Sequence, residues 1–388
     1  MMTTEALIAH CERLYADTAL GSVRDWKSRH PGRPAFGHLP VYAPREVVHM
    51  AGGLPVGIAG AGDQIDIVKG DACFQSYICH LPRSTVELGL TGDLDSLDGM
   101  LFPSTCDVIR NLSGIWQLLF PKKRVRFIDL PQNFSGALGG QFYLHDLQGL
   151  LAEVVAAGGR LPTAAQGAES IRAFNENRRA IAALYDLRAE QPWKVPSDEC
   201  DLVVRAGLVL DVAEHTQLVH DYLAGAKERT RRKEDRIRVL MVGSFCEQPP
   251  LGLLRTLDRS GCYVVDDDLH LGQRWLEGDV EPGDEPLQAL ATAYLTQSTW
   301  ASTKYEGDEL RAPKLVARAR RRKADGVVFA APSFCDPALL DQPPLQKALA
   351  HEGIPYIAFK YAENTGQFQG IREQAGTFSD SLKLWGAA

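Results

Sequence analysis

Apolar and polar positions along the chain fall into blocks whose period changes three times. Up to about residue 35, beginning MMTTEALIAHCERLYAD, apolar and charged residues are spaced as in an amphipathic helix, and the segment ends in SRHPGRP. Short apolar runs then alternate with helix-like stretches. AFGHLPVY (35–42), LPVGIAG (54–60), LDGMLFP (97–103) and VRFIDLP (125–131) predict strands. Between them, PREVVHMAGG predicts a helix with Pro44 in its first turn and a stop at Gly52-Gly53. CFQSYICHLPRSTVELGLTG (73–92) and residues 107–120 also carry helical spacing. From 140 to 235 apolar residues recur every three or four positions, predicting helices over 144–159, 169–190 and 214–236. A loop containing Pro and Trp, QPWKVPSDE, separates the second from the third. A second strand series follows: RIRVLMVGS (236–244), GCYVVDDD (261–268), GVVFAAPS (326–333) and IPYIAFKY (354–361).

Strands alternating with helices predict βαβ units and largely parallel sheets. The expected fold class is α/β, with two doubly wound, Rossmann-like parallel-sheet domains and an intervening helical region. The expected boundaries are 1–35 for an N-terminal helical segment, 36–140 for the first α/β domain, 141–235 for the helical region and 236–388 for the second.

One phrase occurs in both halves. DGMLFPSTCD (98–107) and DGVVFAAPSFCD (325–336) each run from an apolar strand through Pro-Ser-x to Cys-Asp. RVLMVGSFCE (238–247) has a similar shape. The break places each cysteine just beyond a strand's C-terminal end, the edge where open α/β sheets bind ligands. Cys106 and Cys335 stand where a helix is expected to begin, and the positive end of a helix dipole favours a thiolate. On residue chemistry alone, ligation and packing are equally good readings of these thiols.

Composition removes several function classes. The 388 residues carry a net charge of −7, the reverse of the basic excess usual for nucleic-acid binders. The basic run Lys227–Lys233 is interrupted by Glu228 and reads as a solvated helix face. No apolar stretch approaches the roughly 20 residues of a membrane span, and the start lacks signal-peptide character. A cytoplasmic protein without membrane or nucleic-acid partners is expected. There disulfides are rare, and the eight cysteines contain no CxxC pair. Cys11, Cys200 and Cys262 read as core residues, and packing is also preferred for Cys73. Known catalytic and nucleotide signatures are missing: there is no GxSxG, HExxH, Walker A sequence or GxGxxG after a strand. GIAGAGDQ (57–64) reads as a plain loop, and Asp266–Asp268 as a solvated loop cap in preference to a cation site.

The segments SYICHLPRSTVELGL, DGMLFPSTCDVIRNLSGIWQLLFP, GSFCEQPP, SGCYVVDDD and PSFCDPALL, with IPYIAFKYAENTGQFQGIREQAGTF, resemble the 2-hydroxyacyl-CoA dehydratase/benzoyl-CoA reductase family over nearly the whole chain. The resemblance implies a [4Fe-4S] cluster on three cysteines, which by motif are Cys79, Cys106 and Cys335, with one iron left open. Cys246 is expected to lie near the cluster, with a role as a fourth ligand as the alternative reading. The resemblance further implies a related catalytic subunit of B type, an ATP-hydrolysing activator of A/D type that receives electrons from ferredoxin, and benzoyl-CoA as substrate. ATP is expected on those partners and not on this chain. Arg83 and Arg110 are candidate anion partners for the substrate, and His80 is a candidate proton donor. Two further readings stand beside the reductase: a 2-hydroxyacyl-CoA dehydratase subunit, and a structural subunit with empty thiols.

Overall fold

A computed structural model describes residues 2–385, except 40, 63, 245–246, 270, 305–310 and 363–367. The N-terminal helices α1 (Thr4–Ala16) and α2 (Gly21–Arg29) lead into the first α/β half. Its elements are β1 (Ala35–His38), α3 (Arg45–Met50), β2 (Leu54–Gly57), α4 (His80–Thr91), β3 (Gly99–Pro103), α5 (Asp107–Leu119) and β4 (Arg124–Ile128). A 3₁₀ turn, Gly70–Cys73, precedes α4. Four helices follow: α6 (Gln141–Ala156), α7 (Ala164–Glu190), α8 (Ser197–Ala206) and α9 (Val212–Glu228). The second half begins with β5 (Ile237–Val242), α10 (Leu251–Arg259), β6 (Cys262–Asp267), α11 (Leu271–Arg274) and α12 (Pro286–Gln297). It is completed by α13 (Arg311–Arg321), β7 (Gly326–Pro332), α14 (Asp336–His351), β8 (Tyr356–Tyr361) and α15 (Gln369–Trp385).

Among the described residues the strands form two four-stranded sheets, ordered β2-β1-β3-β4 and β6-β5-β7-β8. Every pairing is parallel. The expected pair of doubly wound α/β sheets is therefore what the chain builds. The two orders are the same once strands are numbered within each half. Each half starts on an inner strand, steps outward to one edge, then crosses back to the other side. β3 and β7 thus occupy equivalent places, and so do the cysteine phrases that follow them.

The central strands are buried along their whole length, as parallel sheets covered on both faces require. Removing side chains such as Phe102 and Phe329 from water contributes roughly 1.5–3 kcal/mol each. Local chemistry sets the helix ends. Thr163 and Gln166 form a reciprocal capping box at the start of α7. Gly92, at φ 88°, closes α4 in the left-handed conformation that glycine adopts without strain.

Several local expectations need correction. β1 stops at His38, because Val41 and Tyr42 take left-handed backbone angles of 78° and 56° that cannot continue a strand. Pro44 caps α3 from outside and is not in its first turn. The helix expected to reach residue 236 ends at Glu228. The basic run beyond it is not a helix face: Arg229 and Arg231 both turn back onto Glu199. The loop expected between helices hands over at Ser197 to α8, which buries Cys200, Leu202, Val203 and Val204.

The core of the first sheet also recruits residues from far along the chain. Trp275, Leu290 and Tyr294 lie in it, as do Ala331, Cys335 and Ala338 from the end of β7 and the start of α14. α1 packs with the helical region through Leu7 and Cys11. Among the described residues, no helix is long and apolar enough to cross a membrane.

Candidate functional site

Cys79, Cys106 and Cys335 are each the N-cap residue of a helix: α4, α5 and α14 respectively. Each follows a turn or bend and stands where helical N–H groups first point outward. The equivalence of β3 and β7 gives Cys106 and Cys335 matching positions in the two halves. The third similar phrase follows β5, so Cys246 would correspond to the segment after β1 and not to Cys106 or Cys335. Cys246 itself lies outside the described residues.

The two strand-end cysteines are brought together. Cys335 is buried, and Cys106 packs half-buried against the same apolar cluster. Burial pushes the Cys335 thiol up to about 11. The Ser244 hydroxyl and the N–H of Ala338 pull the other way, while the Glu247 carboxylate and the Cys106 thiol add to the rise. Ser244 Oγ lies 3.6 Å from Cys335 Sγ. Burial also raises the Cys106 thiol, opposed by the N–H groups of Ile109 and Val108 at the start of α5.

Glu247 links the third cysteine to this pair. Its carboxylate accepts from the backbone N–H of His80 at 3.0 Å and of Leu81 at 3.3 Å. It therefore caps α4, just after Cys79, from the opposite half of the molecule. An anion is favoured there by the helix dipole. Tyr361 donates to the Glu247 carbonyl from the end of β8. Replacing Glu247 with Ala should lower stability by about 1–2 kcal/mol in chemical denaturation, because two buried donors lose their acceptor. Glu247→Gln keeps an acceptor and should recover part of that loss.

In residue type alone, the three cysteines are the donors that an iron–sulfur group takes. All three thiols stand at helix N-termini and are soft donors. Burial raises the Cys106 and Cys335 thiols, and a strong local positive charge such as bound iron would favour their deprotonation. No three His, Cys, Asp or Glu side chains among the described residues are grouped to hold a single metal ion.

The remaining thiols behave as core residues. Burial pushes Cys11, Cys200 and Cys262 each up to about 12. Cys73 ends the 3₁₀ turn and packs half-buried at the edge of the first core. Arg83 is held by Asp71 at 2.8 Å. Arg110 is exposed on α5, beside an open hollow that it shares with Cys73 and Phe74. His80 is buried in the first turn of α4 with its backbone N–H on Glu247. Phe334, next to Cys335, is half exposed and has a φ of 66°, an unusual conformation for an aromatic residue. Strain of this kind tends to collect where a structure must aim a functional side chain.

Glu247 and Ser244 were not singled out by sequence reasoning. Both sit inside the VGSFCE phrase, directly after a strand, and that position was the available signal. Asp266–Asp268 are not a solvated loop cap. Asp266 and Asp267 are almost fully buried, and all three acids are matched by arginines.

The sequence matches the family model for the 2-hydroxyglutaryl-CoA dehydratase D-component over residues 40–382. It is 50% identical over 385 residues to the C-type subunit of benzoyl-CoA reductase from Thauera aromatica, covering 99% of this chain and 100% of that protein. It is 27% identical over 364 residues to the beta subunit of (R)-2-hydroxyglutaryl-CoA dehydratase from Acidaminococcus fermentans, covering 92% and 94%. It is 25% identical over 351 residues to the beta subunit of (R)-phenyllactyl-CoA dehydratase from Clostridium sporogenes, covering 90% and 92%. Two parallel sheets with helix-capping cysteines at matching strand ends, read with these full-length similarities, lead to one assignment: the chain belongs to the 2-hydroxyacyl-CoA dehydratase/benzoyl-CoA reductase family.

Proposed function

We propose that this chain is a catalytic subunit of an ATP-dependent benzoyl-CoA reductase, the C-type partner of a related B-type subunit. The observation that carries this reading is the 50% identity over the full length of a reductase subunit, against 25–27% for the dehydratase subunits. The reaction is the two-electron reduction of the aromatic ring of benzoyl-CoA to a cyclohexadienoyl-CoA. Electrons would come from ferredoxin through an activator of A/D type that hydrolyses ATP. This chain carries no glycine-rich phosphate loop of its own, which agrees with ATP hydrolysis on the partner.

In this reading Cys79, Cys106 and Cys335 hold a [4Fe-4S] cluster. Such a group supplies one-electron transfer at a potential set by burial and by hydrogen bonds to its sulfurs. The chain's own residues do the rest. The packed ends of β3 and β7 bury Cys335 and partly cover Cys106. The Ser244 hydroxyl, 3.6 Å from Cys335 Sγ, is placed to stabilise sulfur charge. Glu247 fixes the start of α4 and so positions Cys79 and His80. Arg83 is already committed to Asp71, so Arg110 is the freer of the two candidate substrate contacts.

The test is anaerobic assay of the purified complex with its activator, given benzoyl-CoA and, separately, a 2-hydroxyacyl-CoA. Ring reduction dependent on ATP and reduced ferredoxin is expected. Turnover of the 2-hydroxyacyl-CoA alone would assign the chain to a dehydratase.

A further inference from the structure

Away from the cysteines, the second half contains a crevice of about 560 Å³. That volume is within the range of small-molecule sites. It opens at the C-terminal ends of β5 and β6, reached by Val242, Asp266 and Asp268, and α13 and the far side of α7 form its walls. Open α/β sheets bind ligands at this edge. Eight cationic side chains line it against four carboxylates. Asp266 is shared by Arg318, Arg322 and Arg274, and carboxylates beyond the lining also pair Arg322 with Asp186, Arg274 with Asp267 and Arg178 with Glu46. Arg321 lies at the exposed rim with no carboxylate partner among the described residues.

A second observation points to a ligand. Gln273 lines the crevice and is only 1% exposed. Its Oε1 accepts from Arg45, but its Nε2 has no hydrogen-bond partner among the described residues. The buried Nε of Arg178, on the same lining, is in the same condition. Unmet buried donors are unfavourable, and an acceptor-rich ligand would satisfy them. The lining also has an apolar side built from Ile181, Leu276, Leu315 and Trp300. Lys314 Nζ stands 4.8 Å from the Trp300 ring centre.

We infer that this crevice binds a phosphate ester with an apolar or aromatic body, of the adenosine-phosphate type. Arginine forks match phosphate oxygens, and a bare phosphate would leave the apolar wall uncovered. Recognition would be by side chains, chiefly arginine and lysine. Two sources share this chemistry, a free nucleotide and the phosphoadenosine end of coenzyme A.

The experiment is equilibrium dialysis of the full chain, purified anaerobically, against labelled ADP, coenzyme A and orthophosphate. At least one ester is expected to bind with Kd below about 1 mM. Arg321→Glu and Lys314→Glu should each weaken it about 10-fold and flatten its salt dependence. Arg320→Glu, one residue away but paired with Glu352 outside the crevice, should bind as the unaltered chain does. Tighter binding of coenzyme A would name the thioester tail as the ligand, and equal or tighter binding of ADP a free nucleotide. No ester binding, unchanged binding in Arg321→Glu, an equal loss in Arg320→Glu, or orthophosphate binding as tightly as the esters would overturn the proposal. No outcome depends on ring reduction, so failure here is separable from failure of the proposed reaction.

Discussion

Replacing Cys335 with Ser in the anaerobically purified complex should remove iron and sulfide from this subunit and abolish its share of catalysis. Cys106→Ser should do the same. The expected loss of activity exceeds the roughly 10–100-fold seen when only the surroundings of a metal ligand are altered. The two thiols sit in matching positions after β3 and β7 and against one apolar cluster. Serine at either place keeps the helix cap but offers a hard oxygen in place of a soft sulfur. Cys262→Ser is the control. That thiol is fully buried at the start of β6, far from the phrase, so it should affect stability but leave iron content unchanged. Iron and sulfide analysis together with ATP-dependent benzoyl-CoA reduction reads both. Full activity and full iron in the Cys106→Ser and Cys335→Ser variants would exclude the cluster assignment.

The second large effect is expected at Asp266. Its carboxylate is 1% exposed and accepts from Arg318 at 2.6 and 3.0 Å and from Arg322 at 2.8 Å, with Arg274 3.6 Å away. Burial alone would raise its pKa, but the guanidinium groups of Arg318 and Arg274 overturn this and hold it well below the usual carboxylate range. Asp266→Ala leaves those partly buried cations facing one another without the carboxylate they share. It should cost about 3–5 kcal/mol, read as a shift in the chemical denaturation midpoint. The sign of the pH dependence follows from the lowered value. The stabilisation is complete above the ordinary carboxylate pKa and is lost as pH falls from there towards the folded-state value. In the variant, that part of the acid destabilisation should be missing. Removing an exposed pair such as Arg29–Glu214 should leave the midpoint unchanged.

The strands were legible because parallel sheets covered on both faces demand uninterrupted apolar runs. GVVFAAP and GMLFP could hardly be anything else once Pro-Ser follows. What escaped was whatever depended on distant partners. α8 begins directly behind Pro196, and the acids of its first turn, Asp198 and Glu199, read as loop because their partners Arg255 and Arg229 lie far along the chain. The acids after β6 looked solvated because nothing local announces that arginines from α7, α11 and α13 converge on them. At the site, Cys106 and Cys335 were visible from a repeated phrase, whereas Glu247 acts on a helix more than 160 positions away. A carboxylate's long-range partner leaves no trace in its own neighbourhood.

The identical winding of the two sheets bears on assembly order. Each sheet pairs its own strands, yet the thiols after β3 and β7 meet only when the two halves lie against each other. The chain between Cys106 and Cys335 is more than half of the molecule. A cofactor gripped at both ends of that span would therefore act as a rivet, resisting separation of the halves by holding closed a very long loop. Oxygen damage at such a rivet would unfasten the architecture as well as quench the chemistry, and newly made chains would need their halves docked before metal could be retained.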